Sequence, residues 1–130
     1  MTQQTAITKG VLVKVNTEYR EDLSTITEGV YYFNYHITIE NQNSYPVQLV
    51  HRDWFIYDSL FPSAHVSGEG VIGQQPVLEA GEIFSYASGC ELRSEIGSMS
   101  GFYTFVHAET QETIRVDIPT FHLIYPGRMN

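Results

Sequence analysis

Hydrophobic positions in this chain recur at every second residue. Val11, Val13 and Val15 alternate with Leu12, Lys14 and Asn16. Tyr31, Phe33, Tyr35, Ile37 and Ile39 alternate with Tyr32, Asn34, His36, Thr38 and Glu40. Further on, Val50, Arg52, Trp54 and Ile56 form one set, and Leu49, His51, Asp53 and Phe55 the other. Ile114, Val116 and Ile118 alternate with Arg115 and Asp117. A period of two sends successive side chains to opposite faces of a strand. The abundant Val, Ile, Thr, Tyr and Phe suit a pleated, half-buried surface. No stretch carries a helical stripe; the mostly polar residues 18–27 read as a loop with at most one short turn.

Turn-forming clusters fall at 41–46, 58–62, 68–76, 80–81, 97–101 and 109–112. The strands predicted between them lie near 9–17, 30–41, 47–58, 63–67, 82–88, 100–108 and 113–123. About seven to eight short strands at this spacing predict an all-β fold, an antiparallel β-sandwich of the immunoglobulin-like or fibronectin type III-like kind. Residues 1–130 read as one domain, with a core over about 9–124 and short loose termini. Residues 78–82 read as a crossover between sheets, with Leu78 plugging the core and Gly81 taking the turn.

Composition narrows the function classes. Lys and Arg total 7 against 15 Asp and Glu, a formal net charge of -8. Binding to nucleic acid or to an anionic membrane needs clustered cations, so both are disfavoured. The single cysteine, Cys90, excludes an internal disulfide and any zinc site built from several thiolates. No apolar run approaches the ~20 residues that span a bilayer, and the first residues lack the charged-then-apolar pattern of a signal peptide. A cytoplasmic protein with no membrane insertion is expected.

Four features carry candidate chemistry. Gly68, Gly70 and Gly73 form a G-x-G-x-x-G. In a dinucleotide-binding unit such glycines admit a pyrophosphate to the backbone, and a following helix supplies positive charge. Here Gln74, Gln75 and Pro76 follow, so the plainer reading is a loop shaped by its turns; a backbone nest for a small anion, helped by Arg52, is the alternative. The second feature is His51-Arg52-Asp53-Trp54. Strand period places His51 and Asp53 together, where they could ligate a divalent metal with His65 or His36 as a third donor. It places Arg52 beside Trp54, which reads as core. The third is Cys90, after a glycine at a strand end. Without a neighbouring base it reads as a structural thiol. The fourth is the aromatic excess of nine Tyr, seven Phe and one Trp. Some of Tyr31, Tyr32, Tyr35, Tyr45, Tyr57 and Tyr125 are expected at the surface, where tyrosine favours partner binding. No nucleophile, metalloprotease or P-loop signature occurs, so no catalytic residue is assigned.

A long ordered set of residues resembles the ApaG domain, also called CorD or DUF525. It runs Arg52-x-Trp54-x-Ile56-x-Asp58, then Val66-x-Gly68-x-Gly70-Val71-x-Gly73-x-Gln75-Pro76-x-Leu78. It continues Gly81-Glu82-x-Phe84-x-Tyr86-x-Ser88-Gly89-Cys90-x-Leu92, Gly97-x-Met99-x-Gly101-x-Tyr103 and Ile118-Pro119-x-Phe121-x-Leu123. Ala80 departs from the usual proline. The resemblance implies a fibronectin type III-like sandwich and an association with cobalt and magnesium resistance or efflux. It also implies an interaction role, from similar domains in F-box proteins and a polymerase-interacting protein. The resulting expectation is a non-enzymatic module for an unknown protein partner, without a cofactor, as monomer or homodimer. The alternatives are nucleotide or pyrophosphate binding at Gly68, Gly70, Gly73 and Arg52, or direct divalent-cation binding at His51, Asp53 and His65.

Overall fold

The computed structural model describes residues 3–129 and contains nine strands. They are β1 (Gln3–Thr8), β2 (Val11–Tyr19), β3 (Tyr31–Asn41), β4 (Val47–Asp58), β5 (Phe61–Glu69), β6 (Val77–Leu78), β7 (Ile83–Leu92), β8 (Ile96–His107) and β9 (Thr113–Ile124). One antiparallel sheet has the order β1-β2-β3-β7 and the other β5-β4-β8-β9, with β6 paired to the start of β4. The sandwich expected from the periodicity is the fold. Its core is the alternating set: Val11, Val13, Val15, Ile37 and Ile39 from one sheet meet Leu49, Tyr103, Phe105, Val116 and Phe121 from the other. Burying a side chain of this size contributes roughly 1.5–3 kcal/mol each.

Strand β4 departs from a strict period. Its register against β8 shifts between Leu49 and His51. The extra residue, Val50, exchanges the faces, so Leu49 and Trp54 are both buried although they stand five positions apart. A bulge does this because side chains alternate at a period of two. Leu49 therefore does not share a face with His51, Asp53 and Phe55.

Several boundaries moved. Residues 3–8, expected as a loose terminus, form β1 and pair with β2 through the hairpin turn Lys9-Gly10, both at positive φ. Two residues with φ > 0 give a turn whose twist matches the strands. The polar QQTAIT could not show this, since an exposed edge strand carries no apolar alternation. Residues 97–101, expected as a turn, lie inside β8. There Gly101 serves close approach: a Cβ on it would lie 2.0 Å from the Asp53 carbonyl oxygen. β5 and β7 are longer than predicted, and residues 20–30 hold two single 3-10 turns, Glu21–Leu23 and Ile26–Glu28. The tail forms a short 3-10 turn, Pro126–Met129, and Tyr125 packs edge-on against Tyr19; Asn130 lies outside the described residues.

The crossover at 78–82 is built as expected. Leu78 is buried and Gly81 takes φ 82°. Buried Asn41 fastens it: its Nδ2 donates to the carbonyls of Tyr45 and Leu78 at 2.8 and 2.9 Å, and its own carbonyl accepts from Gly81 N at 2.7 Å.

The two long edges differ. β1 and β2 pack on β9, and Asp117 N donates to Thr8 Oγ1 at 3.2 Å. On the far side β5 and β7 border a cleft between the sheets.

Candidate functional site

Strand β4 organises the surfaces that could bind something, because both of its faces carry polar groups. Its continuation into β5 and the hairpin beyond holds the glycine motif. Val71 and Gln74 exchange backbone hydrogen bonds at 2.8 and 2.9 Å. The two residues between them, Ile72 and Gly73, both have positive φ, 42° and 75°. This is a two-residue hairpin turn with φ > 0 at both central positions, which favours glycine and strains a β-branched residue. Gly70 also has positive φ, and a Cβ there would lie 2.0 Å from the Gln74 carbonyl oxygen. Gly70 N donates to Val50 O at 2.9 Å. The amides of Gly70, Val71 and Gln74 are thus spent within the fold, and no helix follows. Chain geometry accounts for each of these two glycines without a ligand.

Gly68 is explained by Arg52. The guanidinium lies over the glycine, with Nη1 and Nη2 both 3.0 Å from where a Cβ would be. Nη1 donates to the Glu69 and Gly70 carbonyls at 3.0 and 2.9 Å. Toward Arg52 the loop presents carbonyl oxygens, not amides. The sequence pairing of Arg52 with Gly68 and Gly70 is therefore real in space, while Gly73 sits apart at the hairpin tip. Arg93 lies elsewhere: its Nε donates to Gly29 O at 3.3 Å, and it sits over Phe61 at the far end of β5.

Arg52 also lines the cleft between the β5 and β7 edges, about 360 Å³. Trp54, Ile56, Val66 and Met99 form its apolar walls, and Tyr35, Ser88 and Cys90 its polar side. Deeper in, the hydroxyls of Tyr86 and Tyr103 meet at 2.5 Å. Burial pushes both of these phenols above the usual tyrosine range. The Cys90 thiol is pushed up to about 11, chiefly by burial and then by the charge of Asp58. A neutral thiol is the opposite of an activated nucleophile. No histidine partners it: His107 stacks on Tyr45 at 4.1 Å, and His122 pairs with Ser98 across β9 and β8.

The opposite face of β4 brings the sequence-predicted metal candidates together. His65 Nε2 donates to Asp53 Oδ1 at 2.9 Å, and His51 Nε2 stands 3.8 Å from Oδ2. His51 Nε2 also hydrogen-bonds Ser67 Oγ at 2.7 Å. Asp53 is held below the usual carboxyl range, first by the His65 hydrogen bond, with burial opposing it and Ser67 and His51 adding to it. The nitrogens are engaged in a hydrogen-bonded network. Among the described residues no group of three or more His, Cys, Asp or Glu is arranged to hold a metal ion. His36 belongs to the other sheet, where it pairs with Ala87.

Residues 21–107 match the family model of the ApaG domain, DUF525. The chain belongs to the ApaG family. Protein ApaG of Anaeromyxobacter dehalogenans strain 2CP-1 is 41% identical over 126 residues, which cover 97% of this chain and 98% of that protein. Protein ApaG of Bdellovibrio bacteriovorus is 44% identical over 115 residues, covering 88% and 86%. The crystal structure of the ApaA protein from Bordetella pertussis aligns with TM-score 0.85 and 39% identity over 89% of this chain and 94% of that one.

Of the tyrosines expected at the surface of this ApaG domain, Tyr57 is exposed. Tyr31 and Tyr35 are buried. The exposed set is Phe55, Tyr57 and Phe61, at 43, 49 and 49% exposure, with Leu60 at 76%. Phe55 stacks on His65 with ring centres 4.6 Å apart. Beside it Arg115 lies 3.9 Å over Phe102. Alternation along β4 was the signal that could have found Phe55, which shares a face with Tyr57, His51 and Asp53. Asp58, at the other end of the strand, was unassigned. It is buried and accepts from Arg93 N at 2.7 Å and from the Ser94 hydroxyl, tying β4 to the β7–β8 connection. No helix is long and apolar enough to cross a membrane among the described residues.

Proposed function

We propose that this ApaG domain is a non-enzymatic protein-binding module whose contact surface is the outer face of β4 and β5. The observation that carries this reading is the exposed pair Phe55 and Tyr57 on that face, with Phe55 stacked on His65. Aromatic side chains that stay in water on a folded domain gain most from burial against a partner. The His65–Asp53–His51 network and Arg115 beside the pair supply a polar rim, as interfaces of this kind have. The association with cobalt and magnesium resistance, which the family resemblance implies, then runs through the bound protein.

The test is affinity capture from native cells by the wild-type chain and by the double variant Phe55→Ser, Tyr57→Ser. A reproducible partner retained by the wild type and lost by the variant, with the β-sheet spectrum unchanged, is the expected result. Equal capture by both chains rejects the surface. Calorimetry with cobalt and magnesium runs beside it. Saturable binding at one site, lost in His65→Ala, would replace this reading with direct cation binding at His51, Asp53 and His65.

A further inference from the structure

We infer that the cleft between the β5 and β7 edges binds a small organic monocarboxylate, with its acid group on Arg52 and its apolar body against Trp54, Val66 and Met99. This site is on the opposite face of β4 from the proposed protein-binding surface, and either can fail without the other. The argument begins with the guanidinium. Nη1 is committed to the Glu69 and Gly70 carbonyls, while Nε and Nη2 make no hydrogen bond to the described residues. That pair of donors is the side-on fork that matches the two oxygens of one carboxylate. Gly68 holds the group in place, since its missing side chain lets the guanidinium lie on the backbone. No other Lys or Arg lines the cleft, and Glu91 is at its rim. One cation facing one carboxylate favours a monoanion over pyrophosphate or a nucleotide. The walls of Trp54, Val66 and Met99 call for an apolar body, and about 360 Å³ is room for a small molecule.

The test is an NMR titration of the full chain with hexanoate, hexanol and pyrophosphate, run separately. Hexanoate is expected to give saturable shifts at the Arg52 Nε–H, the Trp54 indole N–H and the amides of Gly89 and Cys90. Hexanol is expected to bind roughly tenfold or more weakly, the loss of two charge-assisted hydrogen bonds. Two variants keep the test independent of folding. Gly68→Ala displaces the guanidinium without removing its charge and should weaken hexanoate several-fold. Val66→Phe fills the cleft mouth, leaves Arg52 intact and should abolish the shifts. Shifts that do not saturate, equal binding of hexanol, tighter binding of pyrophosphate, or hexanoate binding indifferent to both variants would each overturn the inference.

Discussion

At one edge of the sandwich β1 and β2 close onto β9; at the other, β5 and β7 border an open cleft. Both edges join the same two sheets, so the difference lies in the side chains. Toward the closed edge the inward positions are Val11, Val13 and Val15 facing Ile114, Val116 and Ile118, all buried. Branched apolar groups of similar size fill the space between sheets at the density of a protein interior. At the open edge Arg52 occupies an inward position beside Trp54, and β5 is exposed along almost its whole length. An arginine cannot be sealed into an apolar core without partners for its five donors. The carbonyls of Glu69 and Gly70 serve one nitrogen, and the rest of the group keeps the edge open. The closed edge holds the fold together and the open edge leaves a site.

That contrast can be broken by truncation. Phe105→Ala, fully inside the core, should cost about 3–5 kcal/mol in urea unfolding. Val66→Ala at the open edge should change stability by about 0.5 kcal/mol or less. Similar costs at both positions would mean that the cleft is packed shut in solution.

Cys90 probes the same edge chemically. Its thiol titrates near 11 instead of the ordinary 9.0, so at pH 8 the thiolate fraction falls about a hundredfold. Iodoacetamide should modify the folded chain about a hundredfold more slowly than the urea-unfolded chain at that pH. Because the folded chain holds the neutral thiol, this group's contribution to stability is present below pH 9 and is lost as the pH rises toward 11. A rate close to the unfolded one would show that the β5 and β7 edges separate readily.

The hairpin bordering the open edge can be sharpened next. Gly70→Ala must bring a Cβ against the Gln74 carbonyl at positive φ and should cost about 2 kcal/mol. Gly73→Ala meets no atom within 4 Å and carries only the cost of positive φ, about 1 kcal/mol. Ile72→Asn should stabilise by about 0.5–1 kcal/mol, since asparagine tolerates φ 42° better than a β-branched residue. A stability scan that ranked these three in another order would deny the motif its structural explanation.

The smallest effect belongs to the outer face of β4. The His65 hydrogen bond lowers the Asp53 pKa, so the stabilisation is present above the unfolded carboxyl value near 3.9 and is lost as pH falls through the lower folded value. His65→Ala should reduce stability by less than about 1 kcal/mol at pH 6, with the gap to wild type closing as the pH falls through the lowered Asp53 value. A gap that persists at pH 2 would assign the effect to the Phe55–His65 stack instead.

Alternation along β2, β3 and β9 identified their buried faces directly, because a strand with one wet face and one dry face must alternate. The Leu78 plug and the Gly81 turn were legible for a similar local reason: a core residue beside a turn-forming glycine. The G-x-G-x-x-G showed that a special backbone was required at 68–73. It could not show whether a ligand or a hairpin required it, since both need positive φ and close approach. Pairing decided that point by setting Val71 against Gln74 and laying Arg52 over Gly68. Strand β1 was invisible because an exposed edge needs only backbone partners, which any polar sequence supplies. The bulge at Val50 was invisible as well, and with it the separation of Leu49 from His51, because one inserted residue changes faces without changing composition. Local chemistry makes a strand and marks its two faces; only the packing of one sheet on another determines which face is buried, which edge closes and which is left open to bind.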